Sequence, residues 1–247
     1  RPVIKSSVFK EVSPYLYYYE GVQNRLYGNH QTSISNLKRS LELQPDNPAV
    51  YYELALNYAA ISELELVLSN IRKAVELEPS NPYYRSLLSI TLINNRNFSE
   101  ALENQKVLID LTPDNFSNKY QLGLLYSENG DFENALIVLN ELENRVGIDP
   151  RIAETKARIF LTSSDLKGAQ EQINLLIDID PSNPVYYLYK GDVLFKIGED
   201  SLAFEQIFYA QSLDTTQIFP TIELYKRFLD TGKRTEALKI LEELVAD

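Results

Sequence analysis

The chain has 247 residues, 44% hydrophobic and 24% charged, with a formal net charge of −11. That acidity argues against a nucleic-acid backbone as partner, since a phosphate-binding face needs clustered Lys and Arg, and no apolar run reaches the roughly 18–20 residues that a membrane-spanning helix requires. With no Cys and a single His, disulfide frameworks, thiolate or histidine metal sites and the usual nucleophile–base pairs cannot be assembled, so neither cofactor nor metal is expected.

The chain also lacks Met and begins at Arg1. It reads as a mature or trimmed piece from which any signal peptide or lipid anchor has been removed. Residues 1–13 are too short for a structural unit of their own and are expected to be a linker. From Pro14 onward the sequence repeats on a 34-residue beat, in seven frames starting at 14, 48, 82, 116, 150, 184 and 218 without an insertion. The phrase LELQPDNP at 41–48 returns as VELEPSNP at 75–82, IDLTPDNF at 109–116 and IDIDPSNP at 177–184.

Each frame predicts two helices. The first frame is the most divergent, with Asn24 and Ser33 at positions 11 and 20. In the second, Tyr51, Leu54, Ala55 and Tyr58 form one stripe at helical spacing, and Val67, Ile71, Ala74 and Val75 form another. The turn between them lies around Ser62, where four other frames carry Gly28, Gly130, Gly198 and Gly232; Gly there takes the positive φ that ends a helix. The second helix stops near position 32, occupied by Pro45, Pro79, Pro113, Gly147 and Pro181, because Pro cannot continue the ladder. Asn47, Asn81 and Asn183 then cap the next helix, with Pro in its first turn. Position 8 is small in six frames (Gly21, Ala55, Ser89, Gly123, Ala157, Gly191), and position 20 is small throughout (Ser33, Val67, Ala101, Ala135, Ala169, Ala203, Ala237). These positions are where the paired helices approach.

This pattern resembles the tetratricopeptide repeat, whose period is also 34 residues. The fourth frame follows the signature best, with Leu122, Gly123, Tyr126, Ala135 and Leu139. The resemblance covers residues 14–247 and implies an all-α, right-handed superhelical solenoid of about seven antiparallel helix pairs, forming a single array. It further implies a non-catalytic scaffold that binds a peptide or helical segment of another protein in a concave groove lined by the first helices, mainly at positions 2, 5, 9, 12 and 13.

In the first four frames those positions supply Tyr18, Tyr52 and Tyr120 at position 5, and Val22, Leu56, Ile90 and Leu124 at position 9. Tyr15 and Tyr83 at position 2 lie alongside. This apolar strip edged by tyrosines either contacts a ligand or packs against neighbouring repeats. From the fifth frame the same face turns charged, with Arg151, Glu154, Arg158, Asp192 and Lys226. Lys and Asn are absent from positions 5 and 9 of the first six frames, which argues against the carboxylate clamp of co-chaperone modules. His30, at position 17, stands where the third and fourth frames carry Phe98 and Phe132 and reads as a structural substitute.

In the last frame Leu238, Leu241, Leu244 and Val245 form an apolar stripe with no polar helix after it. Terminal repeats need such a cap, so the alternative role is an assembly module that continues or self-associates through that end. The Asn-, Ile- and Tyr-rich texture also resembles tetratricopeptide proteins of Gram-negative envelopes, which are often exported to the periplasm as lipoproteins.

Overall fold

The computed structural model describes residues 13–213 and 218–246, with the side chains of 218, 219 and 241–246 excepted. The expected linker therefore lies outside the described residues except for Ser13, and so do the side chains of Leu241, Leu244 and Val245.

Among the described residues the fold is all-α, with fourteen helices, two to each frame, twelve of which pack as six pairs of consecutive helices. The first helices are α1 (Pro14–Leu26), α3 (Pro48–Ala60), α5 (Pro82–Asn94), α7 (Phe116–Glu128), α9 (Pro150–Thr162), α11 (Pro184–Lys196) and α13 (Ile218–Asp230). The second helices are α2 (His30–Leu43), α4 (Leu64–Leu77), α6 (Phe98–Leu111), α8 (Phe132–Val146), α10 (Leu166–Ile179), α12 (Asp200–Leu213) and α14 (Arg234–Ala246). Every first helix begins at position 1 of its frame and every second helix at position 17, so the sequence period is also the structural period.

The helix ends follow from local chemistry. The side chains of Asn47, Asn81 and Asn183 accept from backbone N–H groups in the first turns of α3, α5 and α11. Asn115 and Asp149 do the same for α7 and α9. Each satisfies a donor that the helix start leaves orphaned. Between paired helices, position 15 takes a positive φ in all seven frames: Gly28, Gly130, Gly198 and Gly232 at 75–85°, and Ser62, Arg96 and Ser164 at 55–62°. In four frames the second helix ends two residues before a Pro, at Pro45, Pro79, Pro113 and Pro181. Where Gly147 replaces Pro, at φ 81°, α8 runs one residue further, to Val146.

The chain divides into two compact units, Arg1–Asn129 and Gly130–Asp247. In the first, α2 packs on α3, α4 on α5 and α6 on α7. One continuous core runs through it, including Leu37, Val50, Leu54, Ile71, Leu88, Leu92 and Leu125. Fully burying a side chain of this size stabilises by roughly 1.5–3 kcal/mol. The small positions let the paired backbones meet. A Cβ on Gly21 would lie 2.7 Å from the Leu37 side chain, and the Ser33 hydroxyl donates to the Gly21 carbonyl at 2.7 Å.

The second unit has two apolar clusters. One joins Ala153, Ala157, Ala169, Ile173, Leu176, Tyr186 and Val193. The other joins Phe204, Ile207, Leu224, Phe228, Ala237 and Ile240, with the rings of Phe204 and Phe228 stacked 4.6 Å apart and the Lys233 ammonium 4.5 Å over Phe204.

Candidate functional site

Residues at positions 2, 5, 9, 12 and 13 of a helix fall within an arc of about 100°, because successive side chains are 100° apart. In the first unit this arc collects the tyrosines and aliphatic residues of the strip. Tyr15, Tyr83 and Ile90 are exposed, with Tyr83 at 73%. Tyr18, Val22, Tyr52, Leu56, Tyr120 and Leu124 are half-buried. Arg158 belongs to the second unit, where it is exposed.

The strip is in part self-packed. Tyr18 and Tyr52 lean against the core of the first unit, and Tyr52 meets Tyr84 with ring centroids 5.0 Å apart. Tyr120 stacks on Phe116 of its own helix at 6.1 Å. Three further residues complete this region. Arg25, at position 12 of α1, donates from Nε to Glu53 Oε2 at 2.5 Å and from a second nitrogen to Oε1 at 3.4 Å. Glu53 is almost wholly buried, so the bidentate pair binds α1 to α3 and cancels the charge beside the tyrosines. Tyr84 is the third. Arg25 stood at a groove position and could have been singled out; Glu53 and Tyr84, at positions 6 and 3, lie outside the groove set, and only pairing across frames would have found them.

Burial raises the Tyr18 and Tyr52 hydroxyls above their ordinary range, and the Glu53 carboxylate adds to the effect. Tyr84 is pushed up to about 12, first by burial and then by Glu78. These three phenols therefore stay protonated at neutral pH and can donate hydrogen bonds. The exposed parts of Tyr18 and Tyr52 form an uncharged, amphipathic and aromatic surface, suited to apolar side chains and backbone carbonyls of another chain.

The charged positions of the second unit are largely engaged in internal ties. Tyr189 donates to Glu154 Oε1 at 3.0 Å, and Tyr189 itself is pushed up to about 12, by burial and then by Glu154. Arg227 pairs with Asp192 and, at 2.7 Å, with Glu223, while its guanidinium lies 5.0 Å over the Phe195 ring. Arg151 pairs with the capping Asp149 at 2.8 Å. Lys226 remains exposed.

His30 does more than fill an aromatic slot. Its Nδ1 lies 3.1 Å from Oδ1 of the buried Asn57, whose amide nitrogen donates to the Glu53 carbonyl oxygen at 2.8 Å. With the amide in that orientation, Oδ1 accepts and Nδ1 of His30 donates. No group of three or more potential metal ligands occurs among the described residues.

The comparisons with known proteins agree with this architecture. The family model for the tetratricopeptide repeat matches residues 117–143, within the frame that follows the signature best. No curated protein matches the sequence. Among solved structures, a tetratricopeptide repeat protein from Parabacteroides merdae is similar over 94% of this chain and 92% of its own, at 16% identity and a TM-score of 0.73. MamA (41-end) from Desulfovibrio magneticus is similar over 69% of this chain and 96% of its own, at 18% identity and a TM-score of 0.61. YrrB, described as a TPR protein with an unusual peptide-binding site, is similar over 74% of this chain and 95% of its own, at 17% identity and a TM-score of 0.57. At these identities the likeness shows the fold alone. The chain thus carries one stretch that matches the tetratricopeptide repeat model, in its fourth frame, and is similar in fold, over nearly its whole length, to a solved tetratricopeptide repeat protein.

Proposed function

We propose that the protein is a non-catalytic scaffold that binds a peptide or helical segment of a partner protein on the first-helix face of residues 14–129. The observation that carries this reading is the uncharged strip: half-exposed Val22, Leu56 and Leu124 and exposed Ile90, flanked by tyrosines and by an internally neutralised Arg25–Glu53 pair. Tyrosine offers large contact area, few rotors and a polar tip, which makes it a good anchor for a partner chain. The fold shared with YrrB, whose description includes peptide binding, supports the same reading.

The test compares partner capture from the native host by the intact chain and by a Leu56→Asp, Leu124→Asp variant, with circular dichroism establishing that both fold. Capture of a specific protein by the intact chain, lost in the variant, is the expected result. Equal capture by both, or none by either, overturns the proposal. That outcome turns attention to an assembly role, for which the exposed Leu238 on α14 is the supporting observation.

A further inference from the structure

Position 21 of the frame is apolar in six frames, with Ile34, Leu68, Leu102, Leu136, Phe204 and Leu238. Ile34, Leu102 and Phe204 are buried there, in the apolar cores. In the fifth frame the position holds Gln170, which is exposed. An amide is costly to bury without a partner, so this side chain stays in water. The space that an apolar side chain fills elsewhere is left as a cleft of about 30 Å³ between α10 and α11. Ile173, Val193, Leu194 and Ile197 line it, together with Gln170, Asn174 and Lys190.

Lys190 has the register of a paired cation but lacks the pair. Position 7 holds Leu54, Leu88, Leu122 and Leu224 in four frames, and Lys156 and Lys190 in the fifth and sixth. Lys156 reaches Glu143, at position 28 of the frame before, at 2.9 Å. For Lys190 the corresponding residue is Ile177, which packs against the apolar cluster of α9–α11. Lys190 is half-buried and makes no ion pair or hydrogen bond among the described residues. A cation set among aliphatic side chains without a counter-ion favours an anion that enters from outside.

We propose that this cleft binds a short-chain aliphatic carboxylate, with its hydrocarbon part against Ile173, Val193, Leu194 and Ile197 and its carboxylate accepting from Lys190. The exposed amides of Gln170 and Asn174 supply further donors at the rim. A cleft of this volume holds about two water molecules or one small group in their place, which limits the ligand to a few carbons. The lining positions 7, 10, 11 and 14 of α11 lie outside the first-helix set of the partner strip, and the cleft belongs to the second unit. It is a separate site from the one proposed for a partner protein.

The test is an NMR titration of the isotope-labelled full chain with isovalerate, and separately with isovaleramide, which has the same shape without the charge. Isovalerate should shift the amide signals of Ile173, Val193, Leu194 and Ile197 in a saturable way, and isovaleramide should bind about fivefold or more weakly. Lys190→Gln keeps most of the stem and removes the charge, and should weaken isovalerate to the level of the amide. Gln170→Leu installs the residue that Leu68, Leu102, Leu136 and Leu238 represent in other frames, and should abolish binding by filling the cleft. A well-dispersed spectrum establishes that each variant folds. Absence of saturation at tens of millimolar, equal binding of acid and amide, or an isovalerate affinity unchanged in either variant overturns the proposal. So does binding of a peptide ending in leucine without binding of isovalerate, which would make a chain terminus the ligand.

Discussion

At the residue scale, position 15 separates what a side chain discloses from what only its place in the frame discloses. Gly28, Gly130, Gly198 and Gly232 announce a left-handed turn by their identity. Ser62, Arg96 and Ser164 adopt it as well but give no such signal, and only the 34-residue register points to them. A left-handed conformation costs a non-Gly residue roughly 1–2 kcal/mol, partly offset by the chain entropy that Gly would add to the unfolded state. Arg96→Gly should therefore raise stability by about 0.5–1 kcal/mol. The converse, Gly28→Ala, meets no atom within 4 Å of the new Cβ, so its loss of about 1 kcal/mol is purely conformational. Thermal melts of the two variants check both directions.

The buried phenols make a second residue-scale prediction. Tyr84 and Tyr189 are pushed from the ordinary 10.0 to about 12. Below pH 10 each is neutral in the folded and unfolded chains alike, and their full contribution is present. Between pH 10 and 12 the unfolded chain releases these protons while the folded chain holds them, so stability falls as pH rises through that window. Denaturant titrations at pH 8 and pH 11 should show a smaller alkaline loss in Tyr189→Phe than in the native protein. An equal loss would mean that Tyr189 titrates normally.

At the element scale, the helix starts, caps and small contact positions were legible because each has a local cause that recurs from frame to frame. The ties between frames were not. Arg25–Glu53, Glu154–Tyr189 and Asp192–Arg227 join residues 28–35 apart in sequence, and the signal for them lies in reading adjacent frames side by side. The contact between α8 and α9 shows the consequence best. Lys156, nearly buried, donates to Glu143 at 2.9 Å, whereas the same two positions hold Val75 and Leu88 two frames earlier, both in the apolar core of the first unit. Glu143→Ala should cost about 3 kcal/mol because it leaves the Lys156 ammonium without its partner. Glu143→Val combined with Lys156→Leu copies the apolar pair and should return to within about 1 kcal/mol of the native protein or exceed it. A double variant no more stable than the single one would show that the ion pair does more than fill space.

At the scale of the whole molecule, the repeat told the fold, while the particular surface proposed for partner binding depended on contacts that no single frame contains. Positions 5 and 9 named the strip from sequence. That Tyr52 leans on Tyr84, that Arg25 is neutralised by Glu53, and that Glu154 and Asp192 are tied internally emerged only from the packing of one frame on the next. The account therefore assigns partner binding to the uncharged face of the first unit and a largely structural role to the charged positions of the second. The most direct test places a photo-crosslinking amino acid at Leu56, on the first-helix face, and separately at Leu66, an exposed apolar residue of the second helix α4. The account predicts a discrete partner adduct from position 56 and none from position 66. Adducts of equal yield at both, or at position 66 alone, would contradict it.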